Sequence, residues 1–220
     1  MTLPTTTIPG ADLYETYFVP AMFRPLARAV LKRAAVKEGE RVLDLACGTG
    51  IIARQVAPVV NHEGRVVALD ARAEMIETAS KLTVPYGCPI EWKVGDATRL
   101  DAPAGSFDLV VCQQGLPFFS DRAAALAEVR RVLAPGGRAV FAVWELELAE
   151  PAELRRGLEA AGFRDVELER QTIDVGLSAE ALVESVVNTV APLLAADHVA
   201  MRTLLRQATF PMNTHIALAR

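Results

Sequence analysis

Short apolar strands alternating with amphipathic helices predict an α/β chain whose sheet is doubly wound and mostly parallel. Two observations carry this. Runs such as Val42-Leu43-Asp44-Leu45, Arg65-Val66-Val67-Ala68-Leu69-Asp70 and Phe107-Asp108-Leu109-Val110-Val111-Cys112 have strand length and composition. Segments of helical periodicity lie between them, and parallel strands need such crossovers. At 220 residues, 51% of them hydrophobic, the chain suits one large domain with a real core.

The elements follow in order. Residues 1–11 hold Pro4, Pro9, Gly10 and four threonines and read as a loose lead-in. From Asp12 to Val36 apolar residues recur every four positions (Phe18, Met22, Leu26, Val30, Ala34), as on one face of a helix that Pro20 and Pro25 break into pieces. Arg41–Leu45 is the first strand, and Gly48-Thr49-Gly50 turns it into a helix ending near Pro58. Arg65–Asp70 is a strand and Ala73–Val84 a helix; Ile90–Val94 and Phe107–Cys112 are strands. Asp121 caps a helix to Leu133, Pro135-Gly136-Gly137 stops it, and Arg138–Trp144 is the fifth strand. Pro151–Ala161 is a helix, Arg164–Val175 an alternating strand, Ser178 to about Arg206 a long helical segment, and Thr209–Leu218 a last strand.

Composition excludes several classes. No apolar run approaches the ~20 residues of a membrane span, and no signal peptide is visible at the start. The net charge of -4 is spread among interspersed acids and bases, which speaks against a nucleic-acid groove. Cys47, Cys88 and Cys112 are far apart and odd in number, so the expectation is no metal site, no disulfide framework and a cytoplasmic setting.

The sharpest local feature is Val42-Leu43-Asp44-Leu45-Ala46-Cys47-Gly48-Thr49-Gly50, a strand running into a glycine turn and a helix. Glycines let a ligand approach the backbone, and a helix start binds anions. Gly48, Gly50 and Ala53 also satisfy the G-x-G-x-x-A dinucleotide pattern, with Asp70 about 20 residues on, so an NAD-dependent oxidoreductase stands as an alternative. Asp44 tells against it. A diphosphate lodged at this turn would face a carboxylate, whereas a ligand with ammonium and sulfonium groups beside its own carboxylate is suited by one. Asp70, ending the second strand, can accept from a ribose diol or cap the next helix. Met75 fits the face of a purine or the core. Asp96, within Gly95-Asp96-Ala97 after the third strand, fits an acceptor for an adenine amino group. Gln113 and Gln114 follow the fourth strand and fit either an amino-acid moiety, a substrate or a structural role.

VLDLACGTG, VVALD, VGDATRL, GSFDLVVCQQGL and RRVLAPGGRAVFAVW, in this order, resemble the motifs of class I S-adenosylmethionine (SAM)-dependent methyltransferases. The likeness covers roughly Tyr14 to Trp144 and is nearest to the small-molecule branch around the ubiquinone/menaquinone biosynthesis methyltransferases. It implies a Rossmann-like seven-stranded sheet with an antiparallel last strand, SAM as cofactor and S-adenosylhomocysteine as product. It assigns the methionine end to Asp44, Ala46, Gly48 and Gly50, the ribose to Asp70, and the adenine to Asp96, Ala97 and the neighbourhood of Met75, with Ala71 and Gln113 as further cofactor contacts. It implies an N-terminal helical lid, residues 1–36 with Tyr14 and Phe18, over a methyltransferase domain of residues 37–220.

The reaction expected is in-line transfer of a methyl group to a small-molecule acceptor, at oxygen, nitrogen or carbon. Alignment and water exclusion suffice for most of it, so no metal or nucleophile is demanded. A hydroxyl or acidic carbon needs a general base, for which His198, His215, Tyr14 and Tyr17 are candidates. One departure stands out: Trp144 is followed almost at once by the helix near Pro151, where such proteins carry a longer segment roofing the substrate. The pocket is then more open, or completed by residues 178–206 or by a second subunit in a homodimer. A SAM-binding protein without turnover is the third reading.

Overall fold

The computed structural model describes residues 10–82, 86–145, 151–175 and 210–220. Its contacts divide the chain into two units, residues 1–26 with 172–212 and residues 27–171 with 213–220. The expected helix at 178–206, and His198 on it, lie outside the described residues.

At the N-terminus the chain is helical as α1 (Ala11–Leu13), a π-helical stretch (Tyr14–Phe23) and α2 (Arg24–Ala34). Pro20 does not break the helix as the sequence led us to expect. Proline lacks an N–H and crowds the carbonyl one turn back, and here the chain takes the wider i→i+5 winding around it. The same winding stacks Tyr14 against Phe18 (ring centroids 6.2 Å apart) and against Phe23 (5.0 Å).

Seven strands form one sheet in the order β3-β2-β1-β4-β5-β7-β6: β1 (Arg41–Leu45), β2 (Arg65–Asp70), β3 (Ile90–Val94), β4 (Phe107–Gln113), β5 (Leu133–Trp144), β6 (Val166–Val175) and β7 (Phe210–Ala219). Six are parallel and β7 is antiparallel, paired to β5 from Ala139↔Ala219 to Trp144↔Thr214. The strand order reverses between β1 and β4, where Leu43 pairs with Val110. The central strands are buried along almost their whole length, as parallel strands covered on both faces are. Leu43, Leu45, Val110 and Phe141 point to the face where α5 (Arg122–Val132) and α6 (Pro151–Ala160) add Leu126, Val129, Leu154 and Leu158. By the two-residue period Val42 and Asp44 point to the other face, covered by α3 (Ile51–Val60); α4 (Ala73–Lys81) lies over β2 and β3.

Several boundaries differ from the sequence reading. α3 runs two residues past Pro58, to an Asn61 cap with φ +64°. α4 stops at Lys81 rather than Val84, because Leu82 is already extended. β5 begins at Leu133, which pairs with Phe107 before the register shifts and the Pro135-Gly136-Gly137 stretch bulges. The glycines there interrupt the strand's pairing instead of preceding the strand. β6 starts at Val166 and β7 is displaced by one residue. Asp121 caps α5 as expected, accepting from the Ala124 N–H at 2.9 Å.

The amino end of the sheet is pinned by charge. Arg41 grips Asp108 through Nε (3.0 Å) and Nη2 (2.7 Å). Arg138 bonds both Glu40 oxygens and the Ala34 and Ala35 carbonyls that end α2. The carboxyl end is left for chemistry.

Candidate functional site

Asp44 lies one residue before the end of β1, on the α3 face, and is 1% exposed. Helix α3 starts at Gly50 (φ +84°) without a side-chain cap of its own. Asp44 supplies one from inside the fold: its Oδ2 accepts the Ala53 N–H at 2.9 Å. Burial pushes its carboxyl up to about 7; the Ala53 N–H works against this, Asp70 adds to it, and Arg54 opposes it.

Asp70 closes β2 and ties the turn together. Its Oδ2 accepts the Gly48 N–H at 2.8 Å and its Oδ1 the Arg72 N–H at 2.9 Å. Two oxygens with one backbone donor each keep further lone pairs for a diol. Ala71, next along, is exposed, and Met75 is 3% exposed in the first turn of α4. After β3 the chain is held to β2 by Gly95 N–H donating to the Asp70 carbonyl at 3.0 Å. Asp96 is exposed, with Oδ1 accepting the Thr98 N–H at 2.8 Å; that bond and the Thr98 hydroxyl hold its carboxyl below the usual range. Ala97 is buried.

The backbone is most contorted at the switch point. Ala46 after β1 has φ +56° and Gln114 after β4 has φ +63°, left-handed values that cost a non-glycine residue about 1–2 kcal/mol each. Gly48 (φ +55°) and Gly50 make the same excursion without that cost. A Cβ at Gly50 would fall 2.3 Å from Trp92 Cη2, so the tight turn also lets β3 close over it. A Cβ at Gly115 would fall 2.4 Å from the Ala46 Cβ, so glycine there lets the two turns meet.

Of the two glutamines, Gln114 is built into the sheet. Its Oε1 accepts the Trp144 N–H at 2.9 Å, and its own N–H donates to the Ala142 carbonyl at 2.8 Å. Gln113 closes β4 and is half-buried. Cys47 and Cys112 lie beside these turns, buried, with thiols pushed up by desolvation, that of Cys112 to about 12, so neither is a nucleophile at neutral pH.

The structure therefore brings Asp44, Ala46, Gly48, Gly50, Asp70, Ala71 and Asp96 to the carboxyl ends of three adjacent strands, with Gln113 on the fourth. Tyr14, Tyr17 and Phe18 belong to the other unit. His215 sits on β7, away from the acids. Sequence reasoning missed Glu145, just after β5, which receives Arg170 of β6 at 3.0 and 3.1 Å and lies 3.6 Å from His215 Nε2. No local pattern announces a charge whose partners are 25 and 70 residues away. Among the described residues no three His, Cys, Asp or Glu side chains could hold a metal, and no helix is long and apolar enough to cross a membrane.

A family model described as a methyltransferase domain matches residues 42–137, the span from β1 to the β5 bulge. The ubiquinone/menaquinone biosynthesis C-methyltransferase of Francisella philomiragia is 35% identical over 142 residues, 64% of this chain and 55% of that protein. The chain thus spans about half the length of the curated relatives it matches. The fold is shared with a SAM-dependent methyltransferase from Aquifex aeolicus (TM-score 0.60, 20% identity, 88% of each chain covered). It is shared equally with the cyclase SpnF (TM-score 0.63, 23% identity, 90% of this chain and 80% of that one). The chain resembles the class I SAM-dependent methyltransferases in motif order and in sheet topology.

Proposed function

We propose that the chain is a SAM-dependent methyltransferase acting on a small molecule. The observation that carries the reading is the bonding of Asp70: one carboxylate at the end of β2 holds the glycine turn through the Gly48 N–H and still offers lone pairs at the cleft. A ribose diol fits that acceptor. Asp44 is the second support. A buried carboxyl beside another acid is costly to ionise, and a cationic amino-acid moiety above the turn relieves the cost. A diphosphate would raise it, which disfavours NAD.

In this reading Asp44, Ala46, Gly48 and Gly50 cradle the methionine end, Asp70 and Ala71 the ribose, and Met75, Asp96 and Ala97 the adenine. Gln113 lies beneath the reacting centre. Bound SAM supplies an electrophilic methyl group on a good leaving group; the chain aligns the acceptor and excludes water. The relatives' names suggest a quinone-type acceptor methylated at carbon. Binding without turnover is a second reading, favoured by the short connection between β5 and α6, residues 145–150.

Calorimetry with SAM, S-adenosylhomocysteine and NAD tests the site. Binding of the first two without the third is expected, and preferential NAD binding would overturn the reading. Labelled SAM with 1,4-naphthohydroquinone, catechol and phosphoethanolamine then tests turnover at carbon, oxygen and nitrogen; binding without transfer to any of them selects the second reading.

A further inference from the structure

Three strands converge on one charged cluster at the far side of the sheet's carboxyl end. Glu145 follows β5, Arg170 lies on β6 and His215 on β7. Arg170 donates to both Glu145 oxygens, at 3.0 and 3.1 Å, and Asn213 adds a further hydrogen bond, so Glu145 stays below the usual carboxylate range and is an anion at neutral pH. His215 is 5% exposed, with Nε2 3.6 Å from Glu145 Oε1. That is too long for a hydrogen bond, and Nε2 has no hydrogen-bond partner among the described residues. A buried imidazole nitrogen left so is unusual and points to a ligand or a proton.

Its position fits an acceptor. His215 pairs with Val143, so both side chains lie on the face of α5 and α6, where Val143 and Leu116 share a core cluster. The chain leaving β4 crosses to that same face at Leu116. From β4 to β7 is two strand spacings, about 10 Å.

Building on the proposed methyl transfer, we propose that His215 is its general base, with Glu145 as the positioning residue and Arg170 keeping Glu145 charged, for an acceptor that bears an acidic hydroxyl. The acceptor O–H bond breaks toward the imidazole. The electron pair freed on the acceptor forms the bond to the methyl carbon, and the sulfur–carbon pair stays on sulfur. Where a conjugated carbon is methylated, the proton it carries moves to the oxygen that lost its own. Cationic donor plus neutral acceptor become two neutral products and one proton on His215. The imidazolium so formed is stabilised by Glu145 at 3.6 Å.

The test uses the full chain, with catechol and 1,4-naphthohydroquinone as probes. His215→Gln is expected to lower kcat at least ~100-fold on the probe that is turned over, with the SAM dissociation constant unchanged. Glu145→Gln is expected to lower kcat less and to move the acidic limb of the pH profile of kcat toward lower pH, with an unchanged thermal melt reporting that the variant folds. An unmoved acidic limb in Glu145→Gln, a kcat within twofold in His215→Gln, or SAM binding with transfer to neither probe overturns the proposal. No heat with SAM at all overturns the reading of the site itself.

Discussion

The two halves of the sheet's carboxyl edge are held by different kinds of bond. Across β1, β2 and β3, strand-end carboxylates accept backbone N–H groups of the turns and helix starts: Asp44 from Ala53, Asp70 from Gly48 and Arg72, Asp96 from Thr98. Across β4, β5, β7 and β6, side chains bridge long separations: Gln114 to Trp144, Glu145 to Arg170, and Thr214 to the Val143 carbonyl at 3.0 Å. The first half is a set of turns held by strand-end carboxylates, one of which, Asp70, ties the turn after β1 to the end of β2. In the second half the Glu145–Arg170 and Thr214–Val143 bonds exist only once β6 and β7 have joined the sheet. A cofactor common to many reactions suits the first, and an acceptor particular to one reaction suits the second.

The largest expected effect breaks the first half. Asp70→Ala removes the acceptor of two backbone N–H groups and, in the proposed site, of a diol. The dissociation constant for SAM is expected to rise about 100-fold, since hydrogen bonds to a charged acceptor contribute roughly 1.5–3 kcal/mol each. Calorimetry reads the binding, and denaturation a loss of about 1–3 kcal/mol from the orphaned N–H groups. Unchanged binding in a folded variant would place the ribose elsewhere.

This difference also explains what was legible in the sequence. The order of β1 to β5, the Asp121 cap and the three strand-end acids were readable because strand length, helical periodicity and turn residues announce each position locally. Asp44, placed at the turn as a ligand contact or a helix cap, does cap α3 through its bond to Ala53. Pro20 misled because propensity knows the broken α-helix but not the π-helical alternative. The start of β5 at Leu133 was hidden because its pairing with Phe107 is tertiary. Glu145 and Arg170 were invisible for the same reason: only the insertion of β7 and β6 brings their charges together.

A smaller effect sharpens the comparison at the seam where the halves meet. A Cβ at Gly115 would stand 2.4 Å from the Ala46 Cβ and 3.0 Å from Cys112 Sγ. Gly115→Ala is therefore expected to cost about 1–3 kcal/mol by overpacking. Ala46→Gly removes both the obstructing Cβ and the penalty of φ +56°, so the double variant should recover most of the loss. Chemical denaturation of the four members of this cycle reads the coupling. Strict additivity would show that the turns after β1 and β4 are independent.

The smallest effect concerns charge in the first half alone. The folded-state carboxyl of Asp44 stands at about 7 against an ordinary 3.8, raised first by burial. The folded chain thus keeps a proton that the unfolded chain releases above pH 4. The stability this group contributes is full below about pH 4, falls as pH climbs to 7, and is flat beyond. Asp44→Asn has no proton to lose, so the wild type should lose ground against it between pH 5 and pH 8 in denaturation midpoints. A cationic ligand above the turn demands the ionised form, so SAM affinity should rise about tenfold from pH 6 to pH 8 in the wild type and stay level in Asp44→Asn. A pH-independent difference in stability would mean that Asp44 is ionised throughout. The cap on α3 would then be a permanent charge, and the cofactor half of the sheet would have no protonic link to its ligand.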